Sequence, residues 1–308
     1  MGRTKLSFNI EDLFSGEIRQ DEPMSGHTSL RIGGPADLML FPEDPVSLKN
    51  LFIAARREDI PVCFLGGGTN MLVTDRGIRG MVISLRAFGN IDITRDSDSE
   101  KAVLYIGAGV LMAQLHGFAK KNGLSGIEGL AGIPGTVGGA AVMNAGSFGT
   151  EIKDVIESVG VMDMDGDIKR YKADELDFGY RSSGLQKDVI VLDLRVVLQK
   201  DEPDRVGGRM REFIARKRAS QPIGEASCGC VFKNPHGDAA GRLIEAAGCK
   251  GMKSGNIEVS NLHANYFINR GGGQCSEFVE LMNAVSLKVK ENSGIELEPE
   301  VRILGEAA

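Results

Sequence analysis

The sequence has few cysteines, no long apolar run and no excess of positive charge. Its five cysteines are an odd, scattered set in 308 residues, which argues against a disulfide framework and for reduced thiols. The first residues, MGRTKLSFNIEDLF, lack the apolar core of a signal peptide, and Leu6 breaks a myristoylation pattern. A net charge of −6 argues against a general nucleic-acid binder. We therefore expect a cytoplasmic protein with no membrane span and no nucleic-acid partner.

The bulk composition is that of a soluble globular protein, with 42% hydrophobic and 25% charged residues. At this length the chain has room for two or three domains and a substantial core. A polar stretch with an internal proline, QKDEPD at residues 199–204, marks the candidate domain boundary.

Charge is also missing from one long internal stretch, which is the most informative part of the chain. Residues 129–150, GLAGIPGTVGGAAVMNAGSFGT, carry no charge and include seven glycines, too many for a membrane span. Thr136 is placed to cap a short helix that follows the glycine turn. A glycine loop that enters a helix start directs free N–H groups toward an anion, so one interpretation is a diphosphate cradle. The other interpretation is a tightly packed turn without a ligand.

A second glycine loop favours a ligand. The apolar strand at residues 61–65 leads directly into GGGTNML at residues 66–72. Two such loops indicate a large phosphate-bearing cofactor that is held from two sides. Neither loop has the GxxxxGK[ST] pattern of a P-loop, and Gly107-Ala108-Gly109 lacks the third glycine of a Rossmann turn.

Periodicity predicts the main helices and strands. Asp44-Pro45 begins a helix, others cover residues 111–121, 239–247 and 274–291, and a tail at 297–304 ends as a strand. Residues 1–26 are expected to form a polar arm. Strands are predicted at residues 38–41, 81–85, 103–106, 156–162, 168–171 and 189–198.

One further helix carries a run of positive charge. It has Val206, Met210, Phe213 and Ile214 on one face. Its charged residues are predicted to lie elsewhere around the helix, as a solvated face or as contacts to an anionic substrate: Arg209, Arg211, Arg216, Lys217 and Arg218.

Two segments resemble metal sites only loosely. Residues 163–167, DMDGD, have the look of a calcium loop but no glutamate at the twelfth position, and Asp165-Gly166 favours a hairpin turn. Cys228 and Cys230 form a CxC pair, but no second cysteine pair or nearby histidine completes a tetrahedral set. We therefore predict no metal site.

Seven segments, in order from about residue 25 to residue 305, together resemble a known family. They are HTSLRIGGPAD at 27–37, FLGGGTNMLV at 64–73, GLAGIPGTVGGAAVMNAG at 129–146, FGYRSS at 178–183, CGCVFKNP at 228–235, SNLHANYFIN at 260–269 and LEPEVRILG at 297–305. The set resembles the UDP-N-acetylenolpyruvoylglucosamine reductases (UDP-N-acetylmuramate dehydrogenases), flavoenzymes of peptidoglycan precursor synthesis. A long insertion with a tyrosine is absent between the two halves, as in the compact subclass of this family.

The resemblance implies an α+β fold of the FAD-binding type shared with p-cresol methylhydroxylase and vanillyl-alcohol oxidase (the PCMH/VAO type). Two α+β subdomains, at about residues 1–85 and 86–205, form the FAD-binding domain. A C-terminal α+β substrate-binding domain follows at 206–295, and the tail at 296–308 returns to the active site. A monomer is expected.

The implied reaction passes a hydride from NADPH through non-covalent FAD to C3 of the enolpyruvyl group of UDP-N-acetylglucosamine enolpyruvate, and a protein acid protonates C2. By position, Arg181 and Glu300 stabilise the enolate, although without the resemblance a structural ion pair and an exposed tail glutamate are the better interpretations. Cys230 stands where serine is commonest in the family, and a thiol with its ordinary pKa of about 8.5 is the readier acid.

The resemblance also implies two sets of ligand-binding residues. The FAD set is Arg31, Gly66, Gly67, Gly68, Thr69, Asn70, Met71, Leu72, Gly132, Pro134, Gly135, Thr136, Gly138, Gly139, Ala140 and Gly146. The sugar-nucleotide set is Arg218, Lys233, Asn234, Arg242 and His263, and a structural role for His263 is at least as good an interpretation.

Two other functions fit part of the pattern. One is another flavin oxidoreductase of the same fold that acts on a hydroxy acid or sugar. The other is a flavin- or nucleotide-binding protein with a regulatory role. FGYRSS, FKNP and EVR argue against the first, and three chemically competent candidate side chains argue against the second.

Overall fold

The computed structural model describes residue 10 and residues 13–96, 100–185 and 188–306. Most of the N-terminal segment that was considered for a signal peptide and for myristoylation, including Leu6, lies outside these residues, as does part of the predicted arm. None of the helices among the described residues is long and apolar enough to cross a membrane.

The first third of the chain forms a four-stranded sheet with one helix. Strand order is β1-β2-β5-β3, where β1 is antiparallel to β2, and β2, β5 and β3 run parallel. The Asp44 carboxylate accepts a hydrogen bond from the Ser47 N–H at 2.8 Å, which confirms the predicted helix start. The elements are β1 (Gly16–Pro23), β2 (Pro35–Pro42), α1 (Pro45–Arg57), β3 (Val62–Phe64), β4 (Met71–Val73) and β5 (Ile78–Ile83).

The expectation of a polar arm at residues 1–26 is wrong for residues 16–23. These residues form the edge strand β1, in register with β2 from Gly16 opposite Pro42 to Pro23 opposite Pro35. Because an edge strand is held by backbone hydrogen bonds and exposes most of its side chains, its sequence shows no clear apolar alternation.

The second region is a larger antiparallel sheet with order β12-β11-β13-β7-β6, and β8 also pairs with β13. The hairpin predicted at Asp165-Gly166 joins β11 to β12, and Gly166 has φ +79°. The elements are β6 (Ile91–Asp96), β7 (Lys101–Gly107), α2 (Met112–Lys121), β8 (Leu124–Ser125), α3 (Val137–Val142), β9 (Gly146–Ser147), β10 (Thr150–Glu151), β11 (Ile156–Asp163), β12 (Ile168–Lys172) and β13 (Val189–Lys200).

The last third contains two long helices and a small antiparallel sheet of order β14-β15-β16. The final strand, β17, leaves this region and pairs in parallel with β4. Its elements are α4 (Pro203–Ser220), α5 (Ala240–Ala246), β14 (Lys253–Ser254), β15 (Ile257–Val259), β16 (Phe267–Asn269), α6 (Cys275–Ser293) and β17 (Arg302–Leu304).

The tail at residues 297–304 ends as a strand, as predicted, and the strand covers Arg302–Leu304. Residues 297–301 are irregular because their backbone pairs with residues 231–233 instead of a ladder: the Lys233 N–H donates to Glu298 O at 2.8 Å, and the Glu300 N–H to Val231 O at 2.7 Å. Pro299 has no N–H to give to a strand pair. The tail therefore connects the last region to the first.

Hydrophobic packing divides the core into three clusters. The first includes Phe52, Leu104 and Leu194, and the second includes Leu72, Phe232 and Phe278. The third, with Met39 and Val82, lies on the other face of the first sheet and takes in Val73. Leu72 and Val73 are neighbours in β4, and successive side chains of a strand point to opposite faces. This short strand therefore contributes one side chain to the second cluster and one to the third.

Helix α4 packs with the first cluster, through Val206 and Met210. Arg209 at its side pairs with Glu128 at 2.7 Å and with Asp201 at 2.6 Å. Helix α4 therefore shares the core of the region before it. The predicted boundary of the substrate-binding domain at residue 206 stays a prediction.

Candidate active site

The FGYRSS segment is a tight turn between β12 and β13. Gly179 and Ser182 exchange two backbone hydrogen bonds, of 2.9 and 3.2 Å, and Arg181 between them has φ +56°. A buried amide, Asn144, donates to Gly179 O at 3.0 Å. Left-handed backbone at an arginine is costly and is found where the surroundings enforce it, often at functional sites. The turn therefore presents the Arg181 side chain in a fixed direction.

Glu300 reaches the same place from the C-terminal tail. Its N–H bonds to Val231 O, and its carbonyl accepts a hydrogen bond from the Asn70 side chain at 3.1 Å. The tail is thus attached both to the CGCVFKNP segment and to the end of the first glycine loop.

Arg181 and Glu300 form a mostly buried ion pair, with Nε 2.6 Å from Oε1 and side chains 20% and 12% exposed. Burial raises the pKa of Glu300, against the pull of Arg181. Burial also works to lower the pKa of Arg181, but Glu300 outweighs it and the net direction is upward. The carboxyl is therefore more easily protonated than an exposed glutamate, while the guanidinium stays charged.

Cys230 lies close enough to both residues to interact with them electrostatically. Burial, reinforced by Glu300, raises the pKa of Cys230 to about 12. The expectation of an ordinary thiol pKa of about 8.5 is therefore wrong: the surroundings are apolar and include an anion, so the thiolate is disfavoured. At neutral pH the thiol keeps its proton.

The neighbouring Cys228 is fully buried in the second core cluster. Within the described residues no group of three or more His, Cys, Asp or Glu side chains is arranged to hold a metal ion.

The three predicted catalytic residues, Arg181, Cys230 and Glu300, come from distant parts of the chain and lie close together in the structure.

The two glycine segments lie backbone against backbone. A Cβ added to Gly67 would be 2.5 Å from the Cα of Gly135, and one added to Gly135 would be 2.8 Å from Thr69 Oγ1. A Cβ added to Gly66 would be 2.9 Å from Thr136 Oγ1. Only glycine permits this approach, so the two segments form one joint structure.

The start of α3 does not present free N–H groups, which contradicts the diphosphate-cradle interpretation of this segment and favours the packed-turn interpretation. The Val137 N–H donates to Val110 O at 2.8 Å and the Gly138 N–H to Ala108 O at 3.0 Å. The Gly139 N–H donates to the Thr136 side chain at 3.3 Å, the predicted cap. These donors are used inside the protein because α3 packs against the turn after β7.

The other loop does have free donors. Across the described chain, no protein acceptor takes a hydrogen bond from the backbone N–H of Gly66, Gly67 or Gly68. Gly66 and Gly67 are exposed and line an open cleft of about 340 Å³. The remaining cleft residues include Arg86, whose guanidinium lies 3.6 Å from the centroid of the Phe41 ring. Unpaired amides and a cation in one cleft suit a phosphate-bearing ligand.

The other predicted FAD residues are placed less uniformly. Arg31 is exposed with φ +56°, and Leu72 is buried in the second cluster. Met71 lies beside it in β4, Ala140 lies in α3 and Gly146 lies in β9. Gly132 and Pro134 are exposed in the turn before Thr136.

The predicted sugar-nucleotide residues do not form one cluster. The Asn234 N–H donates to the Tyr180 hydroxyl at 3.3 Å, and Lys233 pairs with Glu298 at 2.5 Å, so both lie near the FGYRSS turn and the tail. Arg242 is largely exposed and paired with Asp238, and His263 packs on Tyr266 with 4.9 Å between ring centroids.

Arg218 is exposed and lines a second cleft, of about 400 Å³. Gln221, Ser260 and Arg270 also line this cleft.

Sequence reasoning placed Lys217 with the solvated charges, and this is wrong. Lys217 is 4% exposed, because it follows Met210 by seven residues and so lies on the apolar face of α4. Its Nζ donates to Ala131 O at 3.1 Å and lies 6.0 Å from the centroid of the Phe148 ring. Burial lowers the pKa of Lys217 to about 8. The heptad spacing was the signal that would have revealed it.

Tyr266 was also missed. Its backbone forms an isolated antiparallel bridge with Cys230, and its hydroxyl donates to Gln221 Oε1 at 3.0 Å. Burial raises its pKa. Only its position in SNLHANYFIN marked it, and no spacing rule relates residue 266 to residue 230.

Comparison with known proteins gives consistent results. Residues 221–304 match the family model for the C-terminal domain of UDP-N-acetylenolpyruvoylglucosamine reductase, and residues 36–172 match an FAD binding domain. A UDP-N-acetylenolpyruvoylglucosamine reductase of Heliobacterium modesticaldum is 42% identical over 297 residues, which are 96% of this chain and 93% of the relative. One of Lactococcus lactis subsp. cremoris is 40% identical over 299 residues, 97% of each chain.

Among solved structures, the UDP-N-acetylenolpyruvylglucosamine reductase from Thermus caldophilus matches with a TM-score of 0.80 and 35% identity, covering 94% of this chain and 99% of that one. The predicted fold class, α+β with an FAD-binding domain, is confirmed.

Proposed function

The chain belongs to the UDP-N-acetylenolpyruvoylglucosamine reductase family, a family of flavin oxidoreductases of peptidoglycan precursor synthesis. On that premise we propose that it catalyses the NADPH-dependent, FAD-mediated reduction of UDP-N-acetylglucosamine enolpyruvate to UDP-N-acetylmuramate in the cytoplasm. The observation that carries the proposal is the 2.6 Å contact between Arg181 and Glu300 beside Cys230.

Non-covalent FAD would be held by the first glycine loop. The N–H groups of Gly66, Gly67 and Gly68, which have no acceptor among the described residues, suit its diphosphate, and Arg86, which pairs with Glu17, lies in the same cleft. The joint between Gly67 and Gly135 brings the second glycine segment against this loop as the other wall. When bound, FAD supplies the hydride chemistry, accepting hydride from NADPH and delivering it to C3 of the enolpyruvyl group.

Arg181 would bind the substrate carboxylate. Its guanidinium is mostly buried, fixed in direction by the turn and always charged, so it stabilises the negative charge that develops on the carboxylate and C2. Glu300, with a pKa raised by burial, would add a hydrogen bond in its protonated form.

Cys230 would protonate C2. The raised pKa makes its thiol a weak acid but ensures that the proton is present at neutral pH. An enolate carbon is a strong enough base to take a proton from such a thiol, and the positive charge of Arg181 beside it eases the formation of the thiolate.

The sugar nucleotide would lie against the region at 206–295, with the tail at 296–308 supplying Glu300. Asn234 and Lys233 are the best-placed of the predicted contacts, because they lie next to Tyr180 and the tail. Arg218, Arg242 and His263 lie farther along this region and are proposed as outer contacts. We propose a monomer.

The test separates the two halves of the reaction. With Cys230→Ala, flavin absorbance should still bleach on addition of NADPH, but its return on addition of enolpyruvyl substrate, without oxygen, should slow by about 100-fold or more. The matched control, Cys230→Ser, retains a transferable proton and should keep appreciable activity. Normal turnover by Cys230→Ala would remove Cys230 from the mechanism.

A further inference from the structure

The proposed proton donor leaves a charge in an unfavourable place. When Cys230 gives up its proton, the thiolate remains in an apolar pocket close to Glu300, and only Arg181 opposes this with positive charge. Buried thiolates require hydrogen-bond donors as well as nearby cations. Besides Arg181, the side chains placed to donate to Cys230 are those of Asn265 and Tyr266, and the Asn265 amide already donates to Phe232 O at 2.8 Å.

Tyr266 is held against Cys230 by the backbone. The two residues form an isolated antiparallel bridge, and the Tyr266 backbone bonds on both sides, to His263 O at 3.0 Å and from the Ser260 N–H at 2.8 Å. The ring packs edge-on against His263. Directly opposed residues of an antiparallel bridge have their side chains on the same face, so the Tyr266 ring lies beside the Cys230 thiol, and the thiol contributes to the raised pKa of Tyr266.

The opposite side of the same hydroxyl is anchored. Tyr266 Oη donates to Gln221 Oε1 at 3.0 Å, and Gln221 lines the open cleft of about 400 Å³. The hydroxyl therefore stands between a buried thiol and a residue that solvent reaches. In the resting protein it donates to Gln221 and is free to accept from the thiol.

We propose that Tyr266 is a positioning residue for the proton donor, with a hydroxyl that accepts from the Cys230 thiol at rest and donates to the thiolate after proton transfer. This inference rests on the proposed function, in which Cys230 protonates C2.

The step balances without a further reagent. The Sγ–H bond breaks, the proton forms a bond to C2, and the S–H electron pair stays on Sγ as a thiolate. The Tyr266 O–H then turns from Gln221 toward Sγ. The thiolate recovers its proton from solvent on the Gln221 side, which restores the resting arrangement.

The first experiment measures the thiol itself, without substrate. Alkylation of Cys230 by iodoacetamide, followed across pH by peptide mass spectrometry, reports the thiolate fraction at this residue. In Tyr266→Phe the thiolate loses a hydrogen bond to a charged group, so alkylation at a fixed pH below the pKa should fall about tenfold.

Two controls exclude a merely structural effect. Tyr266→Phe keeps the ring that packs on His263 and loses only the hydrogen bonds of the hydroxyl, so its thermal unfolding should fall by no more than a few degrees. Tyr105→Phe removes a hydroxyl from β7, in the second sheet, and should leave alkylation of Cys230 unchanged. Equal alkylation profiles for the parent and Tyr266→Phe would overturn the inference.

The second experiment links the thiol to the reaction. Tyr266→Phe should slow the substrate-dependent return of flavin absorbance about tenfold and leave bleaching by NADPH unchanged. In a Cys230→Ala background the same substitution should have no effect. Normal turnover by Cys230→Ala would defeat the proposed function, whereas an unchanged alkylation profile in Tyr266→Phe defeats only the role of Tyr266.

Discussion

The two glycine segments look alike in sequence but use their backbones differently. Among the residues that the structure describes, none accepts a hydrogen bond from the N–H groups of the Gly66–Gly68 loop, and two of its glycines are exposed to a cleft. The start of α3 donates its first N–H groups to Val110, Ala108 and Thr136. A Cβ on Gly138 would be 2.8 Å from that of Ala108, so this glycine serves close packing. Glycine content alone does not distinguish a ligand loop from a packed one.

The largest test of this comparison is Gly67→Ala. The new Cβ would lie 2.5 Å from the Cα of Gly135, so the two segments must separate. We expect a loss of about 3 kcal/mol in the free energy of unfolding, with loss of bound flavin. Urea unfolding and the ratio of flavin to protein absorbance measure the two effects.

Gly117→Ala, in α2 and outside both segments, is the matched control. Its Cβ would meet nothing within 4 Å and its backbone is helical, so flavin content and stability should be kept. Full flavin content in Gly67→Ala would show that the segments do not need their close contact.

A second test concerns how the glycine-rich stretch at 129–150 is tied to the protein. Lys217 donates to Ala131 O, and its pKa is lowered by burial to about 8, whereas in an unfolded chain it is near 10.4. Between these values the unfolded state binds more protons, so stability rises with pH. From pH 8 to 9.5 we expect a gain of about 1.5 kcal/mol in the free energy of unfolding.

Lys217→Met should abolish that part of the rise, because methionine fills the space but does not titrate. Urea unfolding of both proteins at several pH values gives the difference. Lys121→Met, which removes an exposed lysine at the end of α2, is the control and should leave the rise intact. Parallel curves for the parent and Lys217→Met would mean that Lys217 titrates normally.

The smallest expected effect is that of Thr136→Ala. The variant loses the side-chain cap of α3 and should unfold about 1 kcal/mol more easily. Asp44→Ala removes the corresponding cap of α1 and should cost a similar amount. Because Thr136 Oγ1 also faces Gly66, only Thr136→Ala should weaken flavin binding, as measured by titration of the apoprotein. Equal flavin affinity in both variants would separate the cap from the cofactor.

Local rules predicted much of the fold. The Asp44-Pro45 helix start, the Thr136 cap and the Asp165-Gly166 hairpin depend on neighbours in sequence, and the structure confirms all three. Local rules did not predict strand β1, because an edge strand is held by hydrogen bonds to the backbone of its partner strand. The predicted location of Lys217, away from the apolar face of its helix, was wrong because the prediction followed its charge and not its heptad position.

The sequence, through its resemblance to a family, predicted that residues 181, 230 and 300 take part in one reaction, since side-chain type and local pattern are written in the chain. Tertiary structure alone decided their surroundings. The depth at which the Cys230 thiol lies, the presence of Tyr266 beside it and the use of α3 amides by Val110 and Ala108 arise from contacts between distant segments. Burial and dielectric are properties of the packed molecule, and they set acidity and donor availability.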